Sequence, residues 1–228
     1  MLRSSSGGGN PATLIFLNNI TEHKQLDEER TESYKRIRKT LDATVSAIAA
    51  IVESRDPYTT GHQLRVSCLA QAIAAEMGLN SDKKDFIGTA AIIHDIGKLS
   101  IPSEILSKPT KLSTIEFDLI KTHSQSGYNI LKDIEFPWPV ATAILQHHER
   151  MNGSGYPNKL LGKDILMESR ILAVADVVEA ISSHRPYRPT LGIDFALDEI
   201  TKYKGDLYDE DAVDACLMLF RKKNFSLT

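Results

Sequence analysis

Seven histidines stand in this 228-residue sequence: His23, His62, His94, His123, His147, His148 and His184. Their setting points to chemistry. His62 falls in helical phase with Val66, Leu69 and Ile73, His94 with Ile87 and Ala91, and the His147-His148 pair with Val140 and Ile144. Imidazoles on core-facing sides need partners, because burying a polar group without one costs roughly 2–7 kcal/mol. A shared metal site supplies one, neutral imidazole being the commonest transition-metal ligand. Two carboxylates stand where such a site needs them. Asp95 directly follows His94, and its two oxygens can bridge two ions. Asp176 lies between Ala175 and Val177 in the most apolar helical stretch of the chain, where an unpaired carboxylate is costly. A pool of five histidines and two aspartates is too large for one tetrahedral zinc and suits two neighbouring ions. Nitrogen and oxygen donors without thiolate favour iron or manganese, with zinc or nickel as substitutes.

The elements that must position these groups read almost entirely as helix. Apolar periodicity predicts helices over 63–77, 85–94, 113–123, 139–148, 169–182, 195–202 and 210–222. Ser113 and Glu116 form a capping-box signature at the start of the third. Gly153 to Pro157 and Arg185 to Pro189 are loops with special backbone needs. Upstream, residues 1–11 are a Ser/Gly-rich flexible lead-in, and β-branched and aromatic residues over 12–23 predict one short strand. Between Lys24 and Ser54, Tyr34, Ile37, Leu41, Val45, Ile48 and Val52 are spaced by 3, 4, 4, 3 and 4, close to a heptad seam. Two readings follow: a long amphipathic helix whose C-terminal half packs on its own domain, or a parallel dimeric coiled coil that carries a signal from an upstream sensor. The expected fold class is all-α, with 24–44 as a linker helix and 45–228 as the functional domain.

Composition narrows the partners. Lys plus Arg number 27 against 30 Asp plus Glu, a net charge of −3, so no basic surplus marks DNA or an anionic membrane as partner. No apolar run is long enough to span a bilayer, and no signal-peptide pattern opens the sequence. The two cysteines, Cys68 and Cys216, have no C-x-x-C spacing; both read as reduced, buried thiols of a cytoplasmic protein.

His94-Asp95-Ile96-Gly97-Lys98 and His147-His148-Glu149-Arg150-Met151-Asn152-Gly153-Ser154-Gly155-Tyr156-Pro157 resemble the signature of the HD-GYP family, a branch of the HD superfamily of metal-dependent phosphohydrolases. The resemblance covers roughly residues 45–225 and extends to Arg55–His62, Ile171–Val177 and Arg185-Pro186-Tyr187-Arg188. It implies an HD-domain helical bundle that hydrolyses cyclic di-GMP to linear pGpG, with further cleavage to GMP left open. Carried over by motif, His62, His94, Asp95 and Asp176 hold a first metal, and Asp95, His123, His147 and His148 a second. The strand ending at Ile20-Thr21-Glu22 resembles the exit of a PAS sensor domain.

On this reading a water bridging the two ions loses its proton and attacks phosphorus in line. Lys98 and Asp95 are the catalytic pair, Lys98 gripping the phosphate and assisting the leaving 3′-oxygen. Gly153, Gly155, Tyr156 and Pro157 form a substrate loop in which Tyr156 stacks on guanine, and Arg185 and Arg188 grip the phosphates. Tyr58 stands where some members carry a glutamate that recruits a third metal, so two ions are expected. Asn152 replaces the usual aspartate and Met151 a common aromatic, which predicts altered loop packing rather than lost activity. The expected partners are a cyclic dinucleotide, a second copy of the chain through the linker helix, and an upstream sensor. Two other functions compete: an HD hydrolase acting on another nucleotide, such as cyclic GMP-AMP or guanosine tetraphosphate, and a non-catalytic cyclic di-GMP receptor.

Overall fold

The computed structural model describes residues 11–55, 61–183 and 192–227. Contacts divide the chain after Thr44 into a short N-terminal unit and a large helical one. The N-terminal unit is the first part of helix α1 (Pro11–Arg55). The strand expected over 12–23 is therefore not formed. An isolated strand leaves its backbone N–H and C=O groups unpaired, whereas a helix satisfies them within itself. From His23 onward the side chains described in this unit are exposed, with Tyr34 at 66%, Ile37 at 63% and Leu41 at 40%.

In the large unit the heptad seam turns inward. Val45 and Val52 are buried and pack in one apolar cluster with Phe86, Ile93, Leu131 and Ile144, as the first of the two helix readings had it. Among the described residues nine further helices follow: α2 (His62–Glu76), α3 (Ser81–Ile93), α4 (Ser103–Leu106), α5 (Thr114–Lys121), α6 (His123–Leu131), α7 (Val140–Gln146), α8 (Met167–Ser182), α9 (Gly192–Lys202) and α10 (Glu210–Lys222). Among the described residues there is no sheet, only the isolated bridges Asn152–Leu161 and Lys204–Tyr208. None of the described helices is long and apolar enough to cross a membrane.

Local chemistry starts several helices. The Asn80 side chain accepts from the Lys83 N–H at α3, and Asp209 accepts from the Asp211 and Ala212 N–H groups at α10. At α5 the expected capping box forms, Ser113 and Glu116 bonding reciprocally. A second cluster gathers α2, α8, α9 and α10 around Leu69, Ile73, Ile171, Val174, Ile200 and Cys216. Helix α3 serves both clusters, Ile87 and Ala91 facing one and Phe86, Ala90 and Ile93 the other. With two faces buried, its C-terminal end, which leads into His94 and Asp95, is held from both sides. Cys216 is buried as expected, but Cys68 is exposed: it lies on the side of α2 opposite the core-facing Val66, Leu69 and Ile73.

The short 3-10 turn Ile96–Ser100 packs against α6 so closely that only glycine fits at position 97. A Cβ there would lie 1.8 Å from the His123 carbonyl oxygen and 2.6 Å from the Gly127 nitrogen. Gly97→Ala must push the turn away from α6, an overpacking cost of roughly 1–3 kcal/mol. The thermal midpoint of the variant should fall by about 2–12 °C. An unchanged midpoint in calorimetry would contradict this packing.

Candidate metal centre

Four helix ends and one helix interior deliver the expected donors. His62 opens α2, His94 and Asp95 follow the end of α3, His123 opens α6, and His147 and His148 follow α7. Asp176 projects from within α8. His62, His94, Asp95, His123 and His147 are each at most 4% exposed. Donor atoms of three groups lie within 4.8 Å of one another: His62, His94 and Asp176; His94, Asp95 and His147; His123, His147 and His148. All seven residues singled out in the sequence thus come together.

Three of the imidazoles are aimed by the helix that precedes them, α3 for His94, α5 for His123 and α7 for His147. His94 Nδ1 donates to the Ala91 carbonyl at 2.7 Å, His123 Nδ1 to Ile120 at 2.7 Å, and His147 Nδ1 to Ile144 at 2.5 Å. A carbonyl only accepts, so the proton sits on Nδ1 and each Nε2 keeps its lone pair for the interior. The Nε2 atoms of His123 and His147 then face each other at 3.2 Å with no proton between them. Two opposed lone pairs repel, and a cation between them removes the conflict. The donor chemistry of the cluster therefore fits metal ions.

Asp95 spreads over the cluster. Its Oδ2 lies 3.6 Å from His94 Nε2, while Oδ1 lies 3.6 Å from His123 Nε2. Lys98 Nζ sits 2.7 Å from Asp95 Oδ2, its side chain 17% exposed. Asp176 Oδ1 lies 3.3 Å from His62 Nε2 and 3.8 Å from His94 Nε2. Burial opposes ionisation of both aspartates. Lys98 and the surrounding histidines overcome it at Asp95, and His62 with His94 does so at Asp176, holding both well below the usual carboxylate range. Burial drives the histidines the other way. His147 falls to about 3, helped by the charges of His123 and His94, and His148 and His123 are also lowered. For His62 burial is outweighed by hydrogen bonds and charge from Asp176 and Glu179, which raise it to about 9.

The glycine loop closes one side. Tyr156 lies tilted against His148, ring centroids 4.8 Å apart, and burial lifts its hydroxyl pKa further above the ordinary tyrosine value. Gly153 has φ of 78°, and a Cβ on Gly155 would lie 2.4 Å from the Glu149 Cα, so both glycines are required. The Tyr156–Pro157 peptide bond is cis. Asn152 accepts from the Ser154 N–H and donates to Asp206, each at 3.0 Å; an aspartate could make only the first bond. Met151 packs beside Gly162.

Sequence reasoning gave no role to Glu149. It is 2% exposed and accepts from the Asn158 and Leu160 N–H groups at 2.7 and 3.0 Å, which ties down the loop bearing Tyr156. Glu179, 1% exposed in α8, was likewise missed. The available signal was a second carboxylate one turn past Asp176 in an apolar helix. Arg185, Arg188, Tyr58 and His184 lie outside the described residues.

A family model described as HD domain matches residues 46–212. The chain belongs to that family. Its HD-GYP signature agrees with the relatives found. The cyclic di-GMP phosphodiesterase response regulator RpfG of Xanthomonas campestris is 38% identical over 194 residues, 84% of this chain and 51% of that protein. The 3'3'-cGAMP-specific phosphodiesterase 3 of Vibrio cholerae is 36% identical over 157 residues, 69% of this chain and 34% of that protein. The chain thus spans about half the length of the first of these relatives and a third of the second. Among solved structures, Bd1817, an HDG"Y"P protein from Bdellovibrio bacteriovorus, superposes with a TM-score of 0.59 at 21% identity, covering 70% of this chain and 51% of that one, and so shares the HD fold.

Acid should unfold the metal-free HD domain early. Below the unfolded value of about 6.5 a denatured chain takes up protons that folded His123, His147 and His148 refuse, so their lowered values remove stability as pH falls from there. His62, raised to about 9, acts in the opposite sense: its contribution is complete below about 6.5 and fades as pH rises through 9. Three groups outweigh one. The thermal midpoint of metal-free protein should drop between pH 7 and pH 5, and a midpoint that holds or rises over that range would contradict the assignment.

Proposed function

We propose that the chain is a metal-dependent phosphodiesterase that hydrolyses cyclic di-GMP to pGpG. The observation that carries the reading is the reach of Asp95 between His94 on one side and His123 on the other, each 3.6 Å from a different carboxylate oxygen. His62, His94, Asp95 and Asp176 are assigned to one divalent ion, and Asp95, His123, His147 and His148 to a second. Iron is the preferred metal and manganese the next, on the nitrogen-and-oxygen donor set. When bound, such a pair supplies Lewis acidity that activates water and offsets charge on the phosphate.

The protein's own groups do the rest. Asp95 is kept ionised by Lys98 and holds the two halves of the cluster in register. Lys98 presents its ammonium where a phosphate oxygen or the leaving 3′-oxygen would stand, and can hand over a proton there. Tyr156 offers its ring to a guanine at the rim beside His148. Glu149, Gly153, Gly155 and Pro157 keep that ring in place. Arg185 and Arg188 are assigned to the substrate phosphates on the sequence reading. The relatives named for cyclic di-GMP and for cyclic GMP-AMP support a cyclic dinucleotide as the substrate class.

The reading includes pairing of two chains along α1 through Tyr34, Ile37 and Leu41, whose exposure supports it. It also includes an upstream sensor acting through α1 and a cytoplasmic setting, the latter supported by the free cysteines.

Protein loaded anaerobically with Fe²⁺ or Mn²⁺ should convert cyclic di-GMP to pGpG, followed chromatographically beside 3'3'-cGAMP. His94→Ala and Asp95→Asn should each lower the rate by roughly 100-fold or more, together with bound metal. Faster turnover of 3'3'-cGAMP would move the substrate assignment. Full activity in both variants would end the site assignment.

A further inference from the structure

His62 differs from the other histidines in how it is aimed. His94, His123 and His147 each donate Nδ1–H to the neutral carbonyl three residues earlier, in the helix that precedes it in the chain. Like His123, His62 is the first residue of its helix, but it is aimed differently. Its Nδ1 instead bonds the Glu179 carboxylate, 117 residues away in sequence. Glu179 lies one turn beyond Asp176 on α8, so a single helix delivers a carboxylate to each nitrogen of the same imidazole: Asp176 towards Nε2, Glu179 towards Nδ1.

Glu179 is itself immobilised. Its other oxygen accepts from Arg65 Nε at 2.7 Å, from Arg65 Nη2 at 2.7 Å and from Ser183 Oγ at 2.6 Å. Arg65 sits one turn past His62 on α2, so the bond closes a ring between the two helices. A Cβ on Gly61 would lie 2.8 Å from Arg65 Nη1, which adds a reason for glycine there. The carboxylate is 1% exposed, and its fixed partners leave it little freedom to swing away from His62. An imidazole backed by a carboxylate is a stronger electron donor than one backed by a carbonyl, because negative charge behind Nδ1–H raises the basicity of Nε2. Among the described residues, only His62 of the four histidines with a resolved Nδ1 partner has this backing.

We propose that Glu179 is a positioning residue that, by orienting and charging His62, makes the His62–Asp176 end of the cluster the tighter metal site, so that the two ends fill in order. This rests on the metal-binding reading of the cluster given above. The end built on His123, His147 and His148 has carbonyl-backed imidazoles at His123 and His147 and fills second. Glu179→Gln keeps the volume and an acceptor for His62 but removes the charge.

The test is titration of the metal-free protein with Mn²⁺ alone, read by calorimetry and by the electron paramagnetic resonance of free Mn²⁺. Wild type should show two events of different affinity. Glu179→Gln should weaken the tighter event by about 10- to 100-fold and leave the weaker one within about threefold. His62→Ala should abolish the tight event, and His123→Ala the weak one. Loss of the tight event in His123→Ala, or equal weakening of both events in Glu179→Gln, overturns the proposal. So does an unchanged tight event in a folded Glu179→Gln protein. Should that variant not fold, the two histidine variants still decide which end is tighter. Failure of wild type to bind Mn²⁺ at all would strike the metal-binding reading instead, and is thereby told apart.

Discussion

One carboxylate sets the terms for the rest of the molecule. Asp95 is 3% exposed and turns one oxygen to His94 and Lys98, the other to His123. A buried negative charge is tolerated only among compensating cations and donors. The cluster supplies imidazole edges and one ammonium, and in the proposed function two divalent ions. Around it His123, His147 and His148 are held neutral by burial, which is the state a metal ligand needs. The opposed lone pairs of His123 and His147 express the same design: the site is arranged for positive charge that its own side chains only partly provide.

The fold serves that arrangement through helix ends. A side chain at a helix end can be fixed by the last turn of the helix before it, and His94, His123 and His147 are fixed in this way by α3, α5 and α7. Their orientation therefore follows from helix placement, and helix placement from the two apolar clusters that share α3. Close approach completes the geometry. Gly97 lets the turn after Asp95 touch α6 beside His123, and Gly155 lets the Tyr156 loop lie against the backbone at Glu149, directly after the histidine pair. Preorganisation of this kind means that little ordering remains when an ion or a substrate arrives.

Much of this was legible in the sequence, for physical reasons. His62, His94, His147 and His148 were visible because helical phase placed them on apolar faces. Asp176 was visible because charge inside an apolar helix needs a partner. Glu149 and Glu179 were not read, since their work is to hold other groups, and only three-dimensional contact reveals a bond between residues 62 and 179. The strand expected over 12–23 failed because β-propensity acts through neighbouring strands, and none is present among the described residues. Cys68 was misplaced because its neighbours in sequence, Ser67, Leu69 and Ala70, are all buried, and only the rotation of the helix turns it outward. The helix α6 was missed because Gly127 and the polar residues around it weaken the apolar period that His123 to Leu131 nevertheless follow in packing.

The central claim is that Asp95 lies between two ions. Anomalous diffraction at the manganese edge, from crystals of protein loaded with Mn²⁺, tests it without reference to turnover. Two peaks, one on each side of the Asp95 carboxylate and each met by its own set of histidines, are the expected result. A single peak, or density remote from Asp95, would contradict it.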